Sequence, residues 1–260
     1  MLLLYILREK YGATYANETI RFRIDGEENM NIEKIDSVLT LYRVCTLRDK
    51  KRNYILESLQ TEELSNEQLL EELVSHELNA TTGRGYFYSF TFDLQLAKEY
   101  KRRNPENTEI RQIKIDLANL PTQIIGIYPI YSRDYLMSLM ASTEEVIKKG
   151  FVLNPATGRQ HSLLGILNTS QRTVSGWAYS MREIVIQCNG LQLEEIVEDK
   201  LDAQDEERVN SMIREYLFPK VNKDDINTFS NLIKATYVST GCKQRYLIDR
   251  IETGKWVKVA

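Results

Sequence analysis

Three polar positions stand inside stretches that otherwise read as buried β-strand. Arg43 lies in Val38–Cys45 (VLTLYRVC), Ser89 and Thr91 flank Phe90 in the aromatic run Tyr86–Phe92, and Glu183 is the last charge before Ile184-Val185-Ile186. A guanidinium in an apolar run needs an anion, a carboxylate or solvent at its tip. An edge arginine snorkelling to water would satisfy the same pattern. Two hydroxyls around one ring meet no structural need of an aromatic strand, so they mark a candidate site. Structurally, Ser89 could still be a neutral strand residue and Glu183 an edge charge paired with a neighbour. The chemistry open to such groups is anion binding by the guanidinium, hydrogen bonding by the hydroxyls and stabilisation of positive charge by the carboxylate.

The elements around these positions are legible from period and punctuation. Asp93 stands as the N-cap of a helix over Leu94–Arg103 that Pro105 must end. Ser65 and Gln68 form a capping box ahead of a helix to Leu78, whose apolar stripe is Leu69, Leu70, Leu73, Val74 and Leu78. Strands are expected at Leu2–Leu7, Thr19–Ile24, Ile110–Leu117 (Ile113 and Ile115 inward), Gln123–Ile130 and Leu191–Val197, with possible helix around Ile32–Ile35. Residues 49–54 read as a charged loop, and Thr81–Gly85 as a flexible turn. Asp134–Lys149 reads as one amphipathic helix with Gly150 in the C′ position. Phe151–Trp177, rich in Ser, Thr, Asn and Gly, reads as a long loop with a helical turn at Leu163–Leu167. Helices at Asp205–Leu217 and Lys223–Tyr237 follow, with a closing strand at Trp256–Val259.

Order and context of the three positions resemble the Arg–Ser–Glu class of mono-ADP-ribosyltransferases, a family of bacterial toxins and related ectoenzymes. Leu41-Tyr42-Arg43 matches the family's first strand. Ser89-Phe90-Thr91 with FDLQLAKEY matches its Ser-Thr-Ser strand and following helix, and Met181-Arg182-Glu183 with IVI matches its Glu-x-Glu strand. IRQIKIDL resembles the strand after that helix, so the likeness covers residues 37–199. It implies an α+β fold, an ADP-ribosyltransferase-like split antiparallel β-sandwich with flanking helices, over residues 1–199. Residues 200–260 would be a C-terminal helical extension.

The implied activity is transfer of ADP-ribose from NAD+, as co-substrate, to a side chain of a protein of unknown identity. The roles the family implies fall on Arg43 for the pyrophosphate and on Ser89 near the nicotinamide ribose. Phe87, Tyr88, Phe90 or Tyr100 would stack on the nicotinamide, with Tyr42 and Thr91 also lining the NAD+ site. Glu183 would be the catalytic carboxylate beside an oxocarbenium-like ribose. Trp177, Tyr179 and Met181 would contact the protein substrate, unless Trp177 and Tyr179 are ordinary anchors of a strand end. The sequence departs from the family at Met181, which replaces the first glutamate of Glu-x-Glu and cannot act as a base. It departs again in residues 127–176, which contain an insertion. Two other outcomes of the same likeness are a NAD+ glycohydrolase and a binding module without turnover.

Composition bounds the rest. With 42% hydrophobic and 27% charged residues in 260, the chain can bury a full core. A net charge of −3 gives no electrostatic case for nucleic acid as an obligatory partner, and Lys50-Lys51-Arg52 and Lys101-Arg102-Arg103 read as solvated faces. No stretch approaches the length of a membrane span, and MLLLYIL has neither the length nor the cleavage pattern of a signal peptide. A reducing cytosol is therefore expected, in the manner of a bacterial effector delivered into a host cell without a cleavable signal. Cys45, Cys188 and Cys242 are too dispersed for a disulfide framework or zinc pattern. His76 and His161 lack local partner patterns, so no metal site and no Ser-His-Asp triad is expected.

Overall fold

The protein is described by a computed structural model covering residues 37–78, 85–104, 109–167, 174–196, 204–240 and 258–259, without the side chains of 78, 174–177, 223, 234–240 and 258–259. The strands expected at Leu2–Leu7 and Thr19–Ile24, the helix around Ile32–Ile35, most of the turn at Thr81–Gly85, and Pro105 lie outside the described residues.

Among the described residues, seven strands join in one curled antiparallel sheet: β1 (Val38–Cys45), β2 (Ile55–Glu57), β3 (Tyr88–Thr91), β4 (Glu109–Asp116), β5 (Ile124–Tyr128), β8 (Glu183–Gln192) and β9 (Glu194–Glu195). The fold is α+β. The hydrogen-bonded order is β2-β8-β3-β1-β4-β9, with β5 also on β8. The ten-residue β8 thus carries three partners, pairing with β3 and β5 through its first half and with β2 through its second. It can do so because Ile184, Val185, Ile186 and Cys188 are fully buried on both faces of the strand. Alternation in β4 turns Ile113 and Ile115 into the core, as their spacing predicts.

Helices cover the sheet. α2 (Asn66–Leu78) starts at the Ser65–Gln68 capping box, with Ser65 N–H donating to Gln68 Oε1 (3.1 Å) and Gln68 N–H to Ser65 Oγ (3.3 Å). Leu69, Leu70, Leu73 and Val74 form its buried stripe. α3 (Leu94–Arg103) is capped by Asp93, whose carboxylate accepts from the N–H groups of Gln95 and Leu96.

Four expectations are corrected. The charged segment at 49–54 is partly α1 (Leu47–Lys51), because Thr46 and Asp49 make a reciprocal capping box. The single helix over Asp134–Lys149 is two, α4 (Arg133–Ala141) and α5 (Glu144–Lys149). Ser142 and Thr143 hydroxyls both donate to the Leu139 carbonyl (2.8 Å each), and the Thr143 backbone is extended, which breaks the ladder. Gly150 ends α5 in the left-handed region, φ 73°. The expected long loop from Phe151 to Trp177 contains the hairpin β6 (Phe151–Asn154) and β7 (Arg159–Ser162), then α6 (Leu163–Leu167) and α7 (Val174–Met181). Its tight turn rests on Asn154, whose side chain accepts from Ala156 and Thr157, and on Gly158 at φ 68°. The strand expected at Leu191–Val197 is the end of β8 followed by the two-residue β9.

At the C-terminal end lie α8 (Glu206–Tyr216), α9 (Lys223–Thr240) and a small parallel pair, β10 (Lys220–Val221) with β11 (Lys258–Val259). Val209, Met212, Ile213, Phe229 and Ile233 of these helices belong to the same apolar cluster as the sheet. α9 packs on α4, α5 and α6. Among the described residues no helix is long and apolar enough to cross a membrane.

Candidate active site

The site is built where β1, β3 and β8 run side by side. Tyr42 is opposite Thr91 and Thr91 is opposite Glu183, so the three stand in one row across the sheet. Strand alternation then puts Ser89, Thr91 and Glu183 on one face of the sheet and Tyr88 and Phe90 on the other.

The last turn of α2 reaches the first of these faces. His76 Nε2 lies 3.0 Å from Ser89 Oγ and 3.6 Å from Glu183 Oε1. Glu77 Oε1 is 4.0 Å from the same nitrogen, and the Glu77 and Glu183 carboxyl groups are hydrogen-bonded to each other. Phe87 meets the His76 ring edge-on, with centroids 5.8 Å apart, and walls one side. Glu77 and Glu183 side chains are only 4% and 12% exposed. Burial, with the Glu183 charge and hydrogen bond beside it, pushes the Glu77 carboxyl well above the ordinary carboxylate range. Burial also works against the Glu183 anion, but contacts from His76, Ser89 and Glu77 outweigh it and hold Glu183 below that range. The two neighbouring carboxyl groups are thus pushed in opposite directions, Glu77 up and Glu183 down.

This is not a serine-hydrolase triad. The imidazole nitrogen that faces Ser89 also faces Glu183, whereas a triad needs its acid on the opposite ring nitrogen. His76, Glu77 and Glu183 do offer one ligand atom each within 4.8 Å, a donor set of one imidazole and two carboxylates that a divalent cation such as zinc could accept. The sequence offered His76 no local partner and gave Glu77 no motif to mark it as a site residue. The signal for Glu77 was its place in the helix: it lies three and four residues after Val74 and Leu73, where the apolar stripe should continue.

Arg43 arrives differently. It follows Tyr42 in β1 and so projects to the face of Tyr88 and Phe90, where its Cζ lies 5.1 and 6.0 Å from their ring centroids. Its Nη1 donates to the Ser89 backbone carbonyl (3.0 Å), and its Nη2 pairs with Asp49 (3.3 Å). The structure thus brings Ser89 and Glu183 side chains together. It connects Arg43 to them through the Ser89 main chain.

Of the other expected site residues, Tyr42 and Thr91 share the row of Glu183, and the rest are dispersed. Tyr42, Phe90 and Thr91 are buried, and Thr91 Oγ1 accepts from the Asp93 N–H (3.2 Å). Tyr100 is exposed on α3. Trp177 lies in α7, with its side chain outside the described residues, and Tyr179 projects from the same helix into solvent, 58% exposed. Both belong to a helix where a strand end was expected. Met181 is half-buried at the end of α7, and Arg182 turns the chain into β8 at φ 47°. Arg182 bonds Asp93 through Nη1 and Glu206 through Nη2 (2.8 Å), tying the starts of α3 and α8 together.

Comparison of the chain with protein-family models, with curated proteins and with solved structures finds no match.

Proposed function

We propose that the chain transfers ADP-ribose from NAD+ to a protein side chain, with Glu183 as the catalytic carboxylate. The observation that carries this reading is a glutamate kept anionic at the head of β8, with the Ser89 hydroxyl of the neighbouring strand against it. Breaking the bond between ribose C1″ and the nicotinamide nitrogen sends the electron pair to nicotinamide and leaves positive charge on the ribose. An anion fixed beside that carbon lowers the barrier because its charge is in place before the bond breaks. The acceptor side chain then attacks C1″ and gives up its proton to a nearby base or to water. We read the curled sheet, in which β8 carries β2 and β5 as well as β3, as the split sandwich of the ADP-ribosyltransferases.

Arg43 takes a role in this scheme that differs from direct contact with the pyrophosphate. Its fork is occupied by Asp49 and the Ser89 carbonyl, so it fixes the strand that presents the hydroxyl. The acceptor is a protein residue of unassigned type, and Met181 gives no base for arginine activation. Incubation with labelled NAD+ tests the reading: label on protein supports transfer, and free ADP-ribose alone identifies a glycohydrolase. Glu183→Ala is expected to lower nicotinamide release on the order of a thousandfold. Unchanged release in that variant would remove Glu183 from the mechanism.

A further inference from the structure

We infer that His76, Glu77 and Glu183 form a binding site for one divalent transition-metal cation, with zinc favoured over magnesium. The site stands on the convergence of these three side chains and does not depend on the reading of Glu183 as a catalytic carboxylate.

Two carboxylates from elements far apart in sequence meet here, with side chains only 4% and 12% exposed. Acids that project into solvent need no partner, but two enclosed carboxylates side by side repel each other and are poorly hydrated. They need positive charge between them. Among the described residues no lysine or arginine pairs with either one. What the fold supplies is an imidazole nitrogen aimed at both: His76 Nε2 lies 3.6 Å from Glu183 Oε1 and 4.0 Å from Glu77 Oε1. Donor atoms on a tetrahedral zinc, each about 2.0–2.2 Å from the ion, stand about 3.3–3.6 Å apart. The shorter separation already meets that geometry, and a small turn of the Glu77 carboxyl would close the longer.

One nitrogen and two oxygens set the choice of metal. Imidazole suits zinc, whereas magnesium prefers oxygen ligands and keeps its water in near-ideal octahedral geometry. Three protein ligands leave a fourth position for water. Ser89 Oγ, 3.0 Å from His76 Nε2, is placed to hydrogen-bond a ligand or that water, and Phe87 walls the imidazole edge-on. Leu69, Leu70, Leu73 and Val74 anchor α2 in the core, so the two ligands it carries are held against β8 by the fold. Because Glu183 is one of the ligands, a bound cation and the ribose of NAD+ draw on the same carboxylate. Where Glu183 serves NAD+, zinc is therefore an inhibitor of transfer, and this consequence alone rests on the transferase reading.

The test uses the full chain, dialysed against a chelator and titrated with zinc chloride in a calorimeter. Wild type should take up one equivalent at micromolar zinc, and its melting temperature should rise with zinc but not with equimolar magnesium. In Glu77→Gln and in His76→Asn, zinc affinity should fall by at least on the order of a hundredfold, the upper end of what changes behind the ligands cost, with the far-ultraviolet spectrum unchanged. A reading on the unaltered site needs no variant to fold. The chain has two histidines, and ¹⁵N imidazole resonances should show that zinc shifts Nε2 of His76 while His161 stays in place. A chain that takes up zinc at His76 but never consumes NAD+ keeps the cation site and loses the transferase reading. If NAD+ is consumed and bound zinc leaves the rate unchanged, Glu183 is not a ligand and the inference is overturned. It is overturned equally by no uptake at micromolar zinc, by an equal response to magnesium, by undiminished uptake in both folded variants, or by a shift confined to His161.

Discussion

Glu183 is held by its surroundings as an anion, and that has a measurable consequence for stability. Its folded-state carboxyl lies below its unfolded value, so the stabilisation is present above the ordinary carboxylate range and is lost as pH falls through the folded value. Glu183→Gln should therefore flatten the acid arm of melting temperature against pH, and an unchanged acid arm would show that Glu183 is not held as an anion in the folded state. Arg43 offers a second test at this scale. Its planar fork bonds a carbonyl and a carboxylate at once while lying against Tyr88, a geometry that an ammonium cannot copy. Arg43→Lys should cost about 1–2 kcal/mol in urea unfolding and lower turnover through displacement of Ser89. An unchanged midpoint would show that Asp49 and the Ser89 carbonyl do not depend on the fork.

At the scale of elements, the junction between α7 and β8 decides how Glu183 enters the sheet. Arg182 occupies a left-handed backbone position that favours glycine, yet its side chain bonds the cap of α3 and the first residue of α8. The backbone and the side chain therefore pull a substitution in opposite directions. Arg182→Ala loses both ion pairs and keeps the backbone strain, whereas Arg182→Gly loses the pairs and relieves it. The glycine variant should be more stable than the alanine variant by about 1 kcal/mol in chemical denaturation. Equal stabilities would mean that the turn relaxes without help. The same junction explains why this part of the chain misled a sequence reading. Its Ser, Thr, Asn and Gly content suits a loop, but those residues are used locally, as the Asn154 turn and the Ser162 and Thr157 backbone contacts, and the segment folds into a hairpin and helices.

For the whole molecule, the C-terminal helices are part of the core. Phe229 and Ile233 are fully buried among α4, α5 and α6, and Tyr131 of the sheet side bonds Asn210 of α8 (2.7 Å). Gln204 fits against the Thr40 backbone of β1, accepting from its N–H (2.9 Å) and donating to its carbonyl (2.6 Å). Removing residues 200–260 should yield a chain that exposes apolar surface and lacks a cooperative melt. A soluble 1–199 fragment with a sharp transition would show two independent units. Phe229→Ala in the full chain should cost about 3–5 kcal/mol.

What the sequence determined was local. The β1 run, the Ser65–Gln68 box, the Asp93 cap, the inward pair Ile113 and Ile115 and the C′ glycine at 150 each depend on neighbours within a few residues, and all stand in the structure as their patterns require. Only tertiary structure decided which polar groups meet. Glu183 finds Ser89 through strand register, and it finds His76 and Glu77 because a helix far upstream is anchored across the sheet face. Arg43 is turned away from them by the parity of one residue in β1 and is taken up by Asp49 and a main-chain carbonyl. Contacts of that kind depend on pairing between distant segments, and the periodicity of any one segment carries no information about them.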